Sequence, residues 1–376
     1  MPTRRIYLDH NASAPLRTGV RRALRRLIDA HGPGNPSSIH VWGRAVRDLV
    51  ERSRESFAAL VGAAARDLVL TSGGTEGNNL AILGTFADGR GGHVVTTMIE
   101  HPSVLEPARL LESRGVPVTR VSTDAFGRLD PDDVVRALRP DTRLVSISWA
   151  NHEIGTVQPV REIAALLRRR GIPLHVDATQ AVGRIPVDLR ALDASMASFS
   201  GHKIGALPGA GFLYAAPDAP ASAVLLGGGQ ERRMRAGTEN VPGAVALGAA
   251  AEEIRARLDA EIGRMRRARD AIERALLEAG FEMNGHPVER LPNTLSVRRR
   301  DLDGGIMVVR LDLDGVAIGA GSACSSGTPE PSRVVAALFP GDPDRARGTI
   351  RISTGPATSL AEARDAAARI LAAAGR

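Results

Sequence analysis

Between residues 67 and 215, short runs of apolar and β-branched residues recur with polar and helical stretches between them. DLVLTS, HVVTT, VPVTRVS, RLVSISW, IPLHVDA, ASMASFS and GAGFLYA read as strands, and segments such as NNLAILGTF and REIAALLRRRG carry the spacing of helices. That alternation is what a mostly parallel sheet covered by helices requires, so a large three-layer α/β/α domain is predicted. A long helical pattern follows from Val241 to Ala279, with apolar residues at helical spacing through GAVALGAAAEEIRARLDAEIGRM. Beyond it, strand-like NTLSV and GTIRIS alternate with helical GGIMVVRLDL, SRVVAALF and LAEARDAAARILAAA, which predicts a smaller C-terminal α/β domain. The join is expected within the long helix: a large domain over 15–257, and a small domain over 258–376 joined by the N-terminal segment 1–14.

The 376 residues, 43% hydrophobic and 24% charged, suit a folded protein of about two domains and argue against disorder or a fibrous architecture. The start, MPTRRIYLDHNASAP, has no apolar core of a signal peptide, and no run of eighteen apolar residues lacks a charge, so no membrane span and a cytoplasmic location are expected. A single cysteine excludes an intramolecular disulfide. The net charge of +7 comes mostly from arginines, in RRALRR (21–26) and RMRRAR (264–269). Both runs lie on predicted helices, and no recognition motif accompanies them, so a solvated face is the better reading than a nucleic-acid surface.

Four sites carry candidate chemistry. In LVLTSGGTEGNNLAI a buried strand ends at Thr71, and Ser72-Gly73-Gly74-Thr75 leads into a helix. Such a turn points backbone N–H groups at a ligand from the positive end of the helix dipole, which suits a phosphate; without a P-loop lysine it does not suit a nucleoside triphosphate. In IPLHVDATQ, Asp177 closes an apolar strand, where ligands of open α/β sheets collect; it could hold a protonated ring nitrogen, cap a helix or bind a metal. In MASFSGHKIG another strand leads to Ser200, His202 and Lys203. A lysine there is either a surface residue or an amine whose pKa burial lowers for imine formation. Phosphate cradle, acid and lysine at the ends of different strands of one sheet are together what pyridoxal 5′-phosphate (PLP) needs. In AIGAGSACSSGTPEPS, Cys324 sits among glycine, serine and alanine; a lone cysteine is usually a small buried hydrophobe, but this setting favours a reactive thiol.

With YLDHNASAP (7–15), EHPSVL (100–105), NHEIGTVQP (151–159), GGGQERRMRAGTENVPG (227–243), GSACSSG (321–327) and RIS (351–353) added in order, the chain resembles the cysteine desulfurases of the nitrogen-fixation and iron–sulfur-assembly type. These are fold-type I PLP enzymes of the class V aminotransferase family, and the resemblance covers essentially the whole chain. It implies removal of sulfur from L-cysteine as a persulfide on Cys324, leaving L-alanine. Lys203 would hold PLP covalently and move the α-proton, Asp177 would keep the ring nitrogen protonated, His101 would lie over the ring face, and Gln180 would bond its O3′. Gly74, Thr75, Ser200 and His202 would hold the phosphate. Thr238 would reach the phosphate of the neighbouring subunit, which makes a homodimer the expected unit. Arg351 would take the substrate carboxylate in a two-pronged bond, the task for which a guanidinium fork is suited; without the resemblance an exposed strand position reads equally well. The glycines Gly319, Gly321 and Gly327 and Ser322 would let the loop swing the persulfide outward to an acceptor protein, an iron–sulfur scaffold or a thiolation enzyme.

Some positions depart from the family. Asn151-His152-Glu153 stands where relatives commonly read Asn-Asn-Glu, and the second position normally approaches PLP; histidine can still donate a hydrogen bond. Leu207-Pro208 replaces Pro-Lys, and the chain closes at LAAAGR without the tail some relatives use to dock a scaffold. Selenocysteine lysis, transamination and a non-catalytic sulfur-transfer partner are the competing readings. Cys324 argues against transamination, which needs no thiol, and the retained Lys203, Asp177, Cys324 and Arg351 argue against an idle partner.

Overall fold

A computed structural model describes residues 5–30, 34–321 and 330–375; Cys324, Ser322 and Gly327 lie outside them. The chain opens with strand β1 (Ile6–Tyr7) and helices α1 (Thr18–Ala30) and α2 (Val41–Val61). An alternating series follows: β2 (Leu68–Thr71), α3 (Gly74–Thr85), β3 (His93–Thr97), α4 (Pro102–Ser113), β4 (Val118–Val121), α5 (Pro131–Arg136), β5 (Thr142–Ser148) and α6 (Val160–Arg168). It closes with β6 (Leu174–Asp177), α7 (Leu189–Leu192), β7 (Met196–Ser200) and β8 (Gly211–Ala215). Helix α8 (Val241–Glu278) leads to β9 (Glu282–Asn284), β10 (Thr294–Arg298), α9 (Gly304–Leu313), β11 (Val316–Ala317), α10 (Arg333–Leu338), α11 (Pro343–Arg347), β12 (Thr349–Ser353) and α12 (Leu360–Ala374).

All seven strand-like runs of the first half form one sheet in the order β2-β8-β7-β6-β5-β3-β4. The five from β7 to β4 are parallel neighbours, and only β8 runs antiparallel, to both β2 and β7. The ten residues between β7 and β8 explain this, since a parallel return needs a longer crossover. Covered on both faces, the inner parallel strands β3, β6 and β7 are buried along their whole length and β5 nearly so, while the edge strand β4 is mostly half-buried. Register sets Ser148 opposite Asp177 and Asp177 opposite Ser198, so the carboxyl ends of β5, β6 and β7 share one edge.

The large core is built around Phe57 of α2, Phe199 of β7 and Phe212 of β8, with the Phe57 ring 5.2 Å from Phe199 and 4.9 Å from Phe212. A second core gathers Ile6 and Leu8 with Ile272, Leu276, Leu295, Ile352 and Ile370. Helix α8 serves both, burying Ala244 to Ile254 in the first and Ala268 to Leu276 in the second. The architecture is thus a large domain on a seven-stranded mixed sheet and a small C-terminal α/β domain, as the sequence resemblance implies.

Helix starts follow local chemistry. His40 caps α2 by accepting from Gly43 N, Asp130 caps α5 ahead of Pro131, and Ser359 with Glu362 forms a capping box on α12. The arginines of 21–26 are exposed, as expected, but Arg269 of the second run is buried and donates to the Leu291 carbonyl at 2.9 Å. No helix among the described residues is long and apolar enough to cross a membrane.

Candidate active site

The carboxyl edge of the large sheet opens into a cavity of about 340 Å³. Lining it are Asp177 from the end of β6, Ser200 from the end of β7, Lys203 three residues on, Gly74 and Thr75 from the start of α3, and Arg351 from β12. His101, His152, Gln180 and His202 also line it. Every candidate named from the sequence is there except two. Cys324 lies outside the described residues, and exposed Thr238 does not line this cavity.

At the phosphate end, Gly73 is the N-cap of α3 and has φ 147°, a conformation that favours glycine; it supplies no capping side chain, so the first N–H groups of the helix face the cavity. A Cβ at Gly211 would come within 2.7 Å of Gly73 Cα, so the start of β8 must be a glycine to pass this turn. Glu76 holds the turn by accepting from Ser72 N at 2.7 Å, and Arg235 Nε secures Glu76 at 2.9 Å. His202 is half-buried, and burial together with Lys203 and Arg184 lowers its pKa to about 4, so it is neutral near pH 7.

In the centre, Asp177 is held at both oxygens. Asn78 Nδ2 donates to Oδ2 at 2.8 Å and Thr179 N to Oδ1 at 3.0 Å. Lys203 Nζ donates to the carbonyls of Asn11 and Ala12 at 2.7 and 2.8 Å, which directs the amine into the cavity wall across from the sheet. Asn11 is a hub: its carbonyl also accepts from Gln180 Nε2 at 3.1 Å, and its side chain reaches Thr294, Asn293 and the His152 carbonyl. The N-terminal segment therefore ties the lysine to the small sheet.

His101 caps α4, its Nδ1 accepting from Ser103 N at 3.1 Å. Burial, then the neighbouring His152, lowers its pKa to about 4. Its ring meets that of His152 edge-on, with centroids 5.2 Å apart. Arg351, only 2% exposed, is no surface residue: Nη2 bonds Asp9 Oδ1 at 2.7 Å, Nη1 donates to the His152 carbonyl at 3.3 Å, and Nε is buried without a partner. Gly319 pairs with the Arg351 backbone, and a Cβ there would come within 2.9 Å of the guanidinium. Its small size is thus needed for close approach to Arg351, which the sequence reading assigned to loop motion instead.

Asn11, Asn78, Ser103, Ser148 and Thr179 were not singled out from the sequence. Asn78 carried the one usable signal, an amide amid the apolar residues of a helix whose face meets the sheet. The site fits PLP on its own atoms. Asn78 Oδ1, Ser148 Oγ, Thr179 Oγ1 and Gln180 Oε1 are buried, line the cavity and lack protein partners, as polar atoms do when a ligand completes them. An uncapped helix start for a phosphate, a fixed carboxylate for a ring nitrogen and a lysine amine surround the same space.

The family model described as Aminotransferase class-V matches residues 6–364. A cysteine desulfurase of Dictyoglomus turgidum is 40% identical over 356 residues, which span 94% of this chain and 90% of that protein. One from Nostoc is 41% identical over 336 residues, 89% of this chain and 84% of that one. A solved NifS-like protein superposes with a TM-score of 0.92 at 30% identity, covering 99% of this chain and 100% of its own.

Proposed function

The chain belongs to the aminotransferase class-V family and is a PLP-dependent cysteine desulfurase, and from that premise we propose which of its residues carry the reaction. When bound, PLP supplies the electron sink that acidifies the α-carbon of the amino acid. Asp177, fixed by Asn78 and Thr179, would pair with the ring nitrogen and keep it protonated. Lys203 would anchor the cofactor, and its freed amine would take the α-proton of the substrate. Gly74, Thr75, Ser200 and His202 would hold the phosphate and Gln180 would bond the ring oxygen, while His101 and His152 stand on the side of α4. Arg351 receives the substrate carboxylate, with its unpartnered Nε available as the added donor. The observation that carries this reading is the convergence of Lys203, the Asp177 carboxylate and the open start of α3 on one cavity.

Sulfur passes to Cys324, whose thiolate attacks the substrate sulfur; the carbon–sulfur bond breaks, the β-carbon takes up a proton and alanine leaves. The persulfide then goes to an acceptor protein of iron–sulfur assembly or thiolation. A thiol with this task belongs in a reducing compartment, which favours the cytoplasm. We further propose a homodimer in which Thr238 reaches the partner's phosphate site. Its own exposure and that of Ile39, Trp42 and Leu226 leave surface for a second copy to cover. The division into 15–257 and 258–376, with 1–14 added to the small domain, agrees with the change of core along α8.

The test is incubation with PLP and isotopically labelled L-cysteine. Equimolar alanine and sulfide under reductant, and labelled sulfur on the Cys324 peptide without it, are expected. Lys203→Ala should lose the borohydride-trapped cofactor, and Cys324→Ser should keep it while product formation falls by orders of magnitude. Near wild-type turnover by Cys324→Ser would remove the persulfide from the mechanism.

A further inference from the structure

Two cavities meet at one side chain. His152 lines the catalytic cavity beside His101, and it also lines a second cavity of about 160 Å³ outside it. Glu100 and Glu153 face that outer space, with Glu106 and Arg109 of α4, Arg120 of β4 and Arg333 of α10 toward its mouth. His152 Nε2 lies 3.5 Å from Glu153 Oε1. Glu153 is 2% exposed and also accepts a hydrogen bond from Ser332 Oγ, the cap of α10. Burial alone would raise its pKa, but His152, Ser332 and Arg351 together hold it below the ordinary carboxylate range, so it stays ionised. Arg351 is already bonded to Asp9, while His152 Nε2, buried and with no other hydrogen-bond partner, faces the Glu153 carboxylate. That leaves the imidazole of His152 as the group Glu153 orients, while its neighbour His101 is held neutral by burial.

We propose that His152, oriented by Glu153, carries protons between the outer cavity and the catalytic cavity. The inference rests on the desulfurase reading and adds to it. Overall, L-cysteine plus the Cys324 thiol gives alanine plus the persulfide, with no net proton. Yet the thiol must lose its proton before it attacks, and the β-carbon gains one only after the carbon–sulfur bond breaks. One proton therefore leaves the site and another returns. His152 gives a proton inward, keeps the N–H electron pair on its ring nitrogen, and is reprotonated from water of the outer cavity along Glu153. Glu153 is a positioning residue in this scheme.

The experiment uses PLP-loaded enzyme. His152→Asn, close in size and still a hydrogen-bond donor, should keep the cofactor absorption and a KM for cysteine within about twofold, while kcat falls by about a hundredfold or more, the low side of what a positioned proton carrier contributes. His152→Ala should regain part of its kcat when imidazole is added, since the outer cavity admits a small base, and imidazole should not help wild type. Glu153→Gln should lower kcat without KM, and Glu153→Asp should recover part of it. An unchanged kcat in His152→Asn, a fall explained by lost cofactor or raised KM, or no imidazole rescue of PLP-bound His152→Ala would each overturn the proposal. Absence of alanine and sulfide formation by wild type would instead overturn the desulfurase reading.

Discussion

Asn78 donates to Asp177 Oδ2 at 2.8 Å from the middle of a helix, and the same amide nitrogen reaches Ser103 Oγ at 2.8 Å. One residue of α3 thus fixes both the acid beneath the cofactor site and the turn that begins α4 and carries His101. Asn78 is fully buried, so its replacement leaves Asp177 with a single donor, the backbone of Thr179. Asn78→Leu is expected to weaken PLP binding by roughly tenfold, the loss of one charge-assisted hydrogen bond of about 1.5–3 kcal/mol discounted for relaxation. Cofactor absorption during PLP titration of the apo-protein checks this; an unchanged dissociation constant would make Asn78 a packing residue.

Arg54 and Glu231 form a buried two-pronged pair, both contacts at 2.8 Å, and Glu231 also accepts from Leu70 N at 2.7 Å. The pair pins the 227–240 segment to β2, whose end presents the phosphate cradle. It also holds three successive residues, Glu231, Arg232 and Arg233, at φ between 45° and 66°. Such backbone costs a side-chain-bearing residue about 1–2 kcal/mol. Arg233→Gly should therefore raise the thermal midpoint, and Arg54→Met should lower it sharply, by an amount corresponding to about 3–5 kcal/mol for a buried charge left alone. Differential scanning calorimetry of the PLP-bound proteins measures both.

Two buried groups near Asp177 give opposite pH dependences. His175 sits between Ser146 and Ser198, and burial lowers its pKa from 6.5 to about 4. The unfolded chain therefore binds the extra proton between those values, and stability present above pH 6.5 is lost as pH falls toward 4. Glu100 is raised from 4.5 to about 7, first by burial and then by Asp177, so stability present below pH 4.5 is lost as pH rises through 7. Relative to wild type, His175→Gln should gain stability toward acid and Glu100→Gln toward neutral pH, each by about 1.4 kcal/mol per pH unit within its window. Urea unfolding at pH 5, 6 and 7 separates the two signs.

The seven strands of the large sheet, helices α9 and α12 and the long α8 were legible because period and length both pointed one way. The phosphate turn, Asp177 and Lys203 were legible for a different reason: each ends a strand, and in a parallel sheet those ends lie on one edge. What the pattern could not reveal depends on residues far apart in sequence. Asn11 meets Thr294 across 283 positions, Arg351 meets Asp9 across 342, and Ser332 meets Glu153 across 179. No local period encodes such partners, and short strands such as β1 and β11 exist only because they pair with each other.

The Arg351–Asp9 contact bears on how the substrate is received. Arg351 is buried, and its fork already spends Nη2 on Asp9 and Nη1 on the His152 carbonyl. An incoming carboxylate must use the unpartnered Nε and share Nη2, so Asp9 both orients the guanidinium and competes for it. Arg351→Lys keeps the charge but has no fork, and the apparent KM for cysteine should rise about tenfold or more, given about 1.5–3 kcal/mol for a hydrogen bond to a charged group. Asp9→Asn should do the reverse. Its amide oxygen can still accept from Nη2, while the lost negative charge leaves the arginine more attractive to a carboxylate, so KM should fall a few-fold. The same change leaves a buried cation less compensated and should lower the thermal midpoint of the substrate-free protein. Steady-state kinetics and calorimetry on the two variants decide it: a KM that rises in Asp9→Asn as much as in Arg351→Lys would show that Asp9 acts only by holding the fork in place.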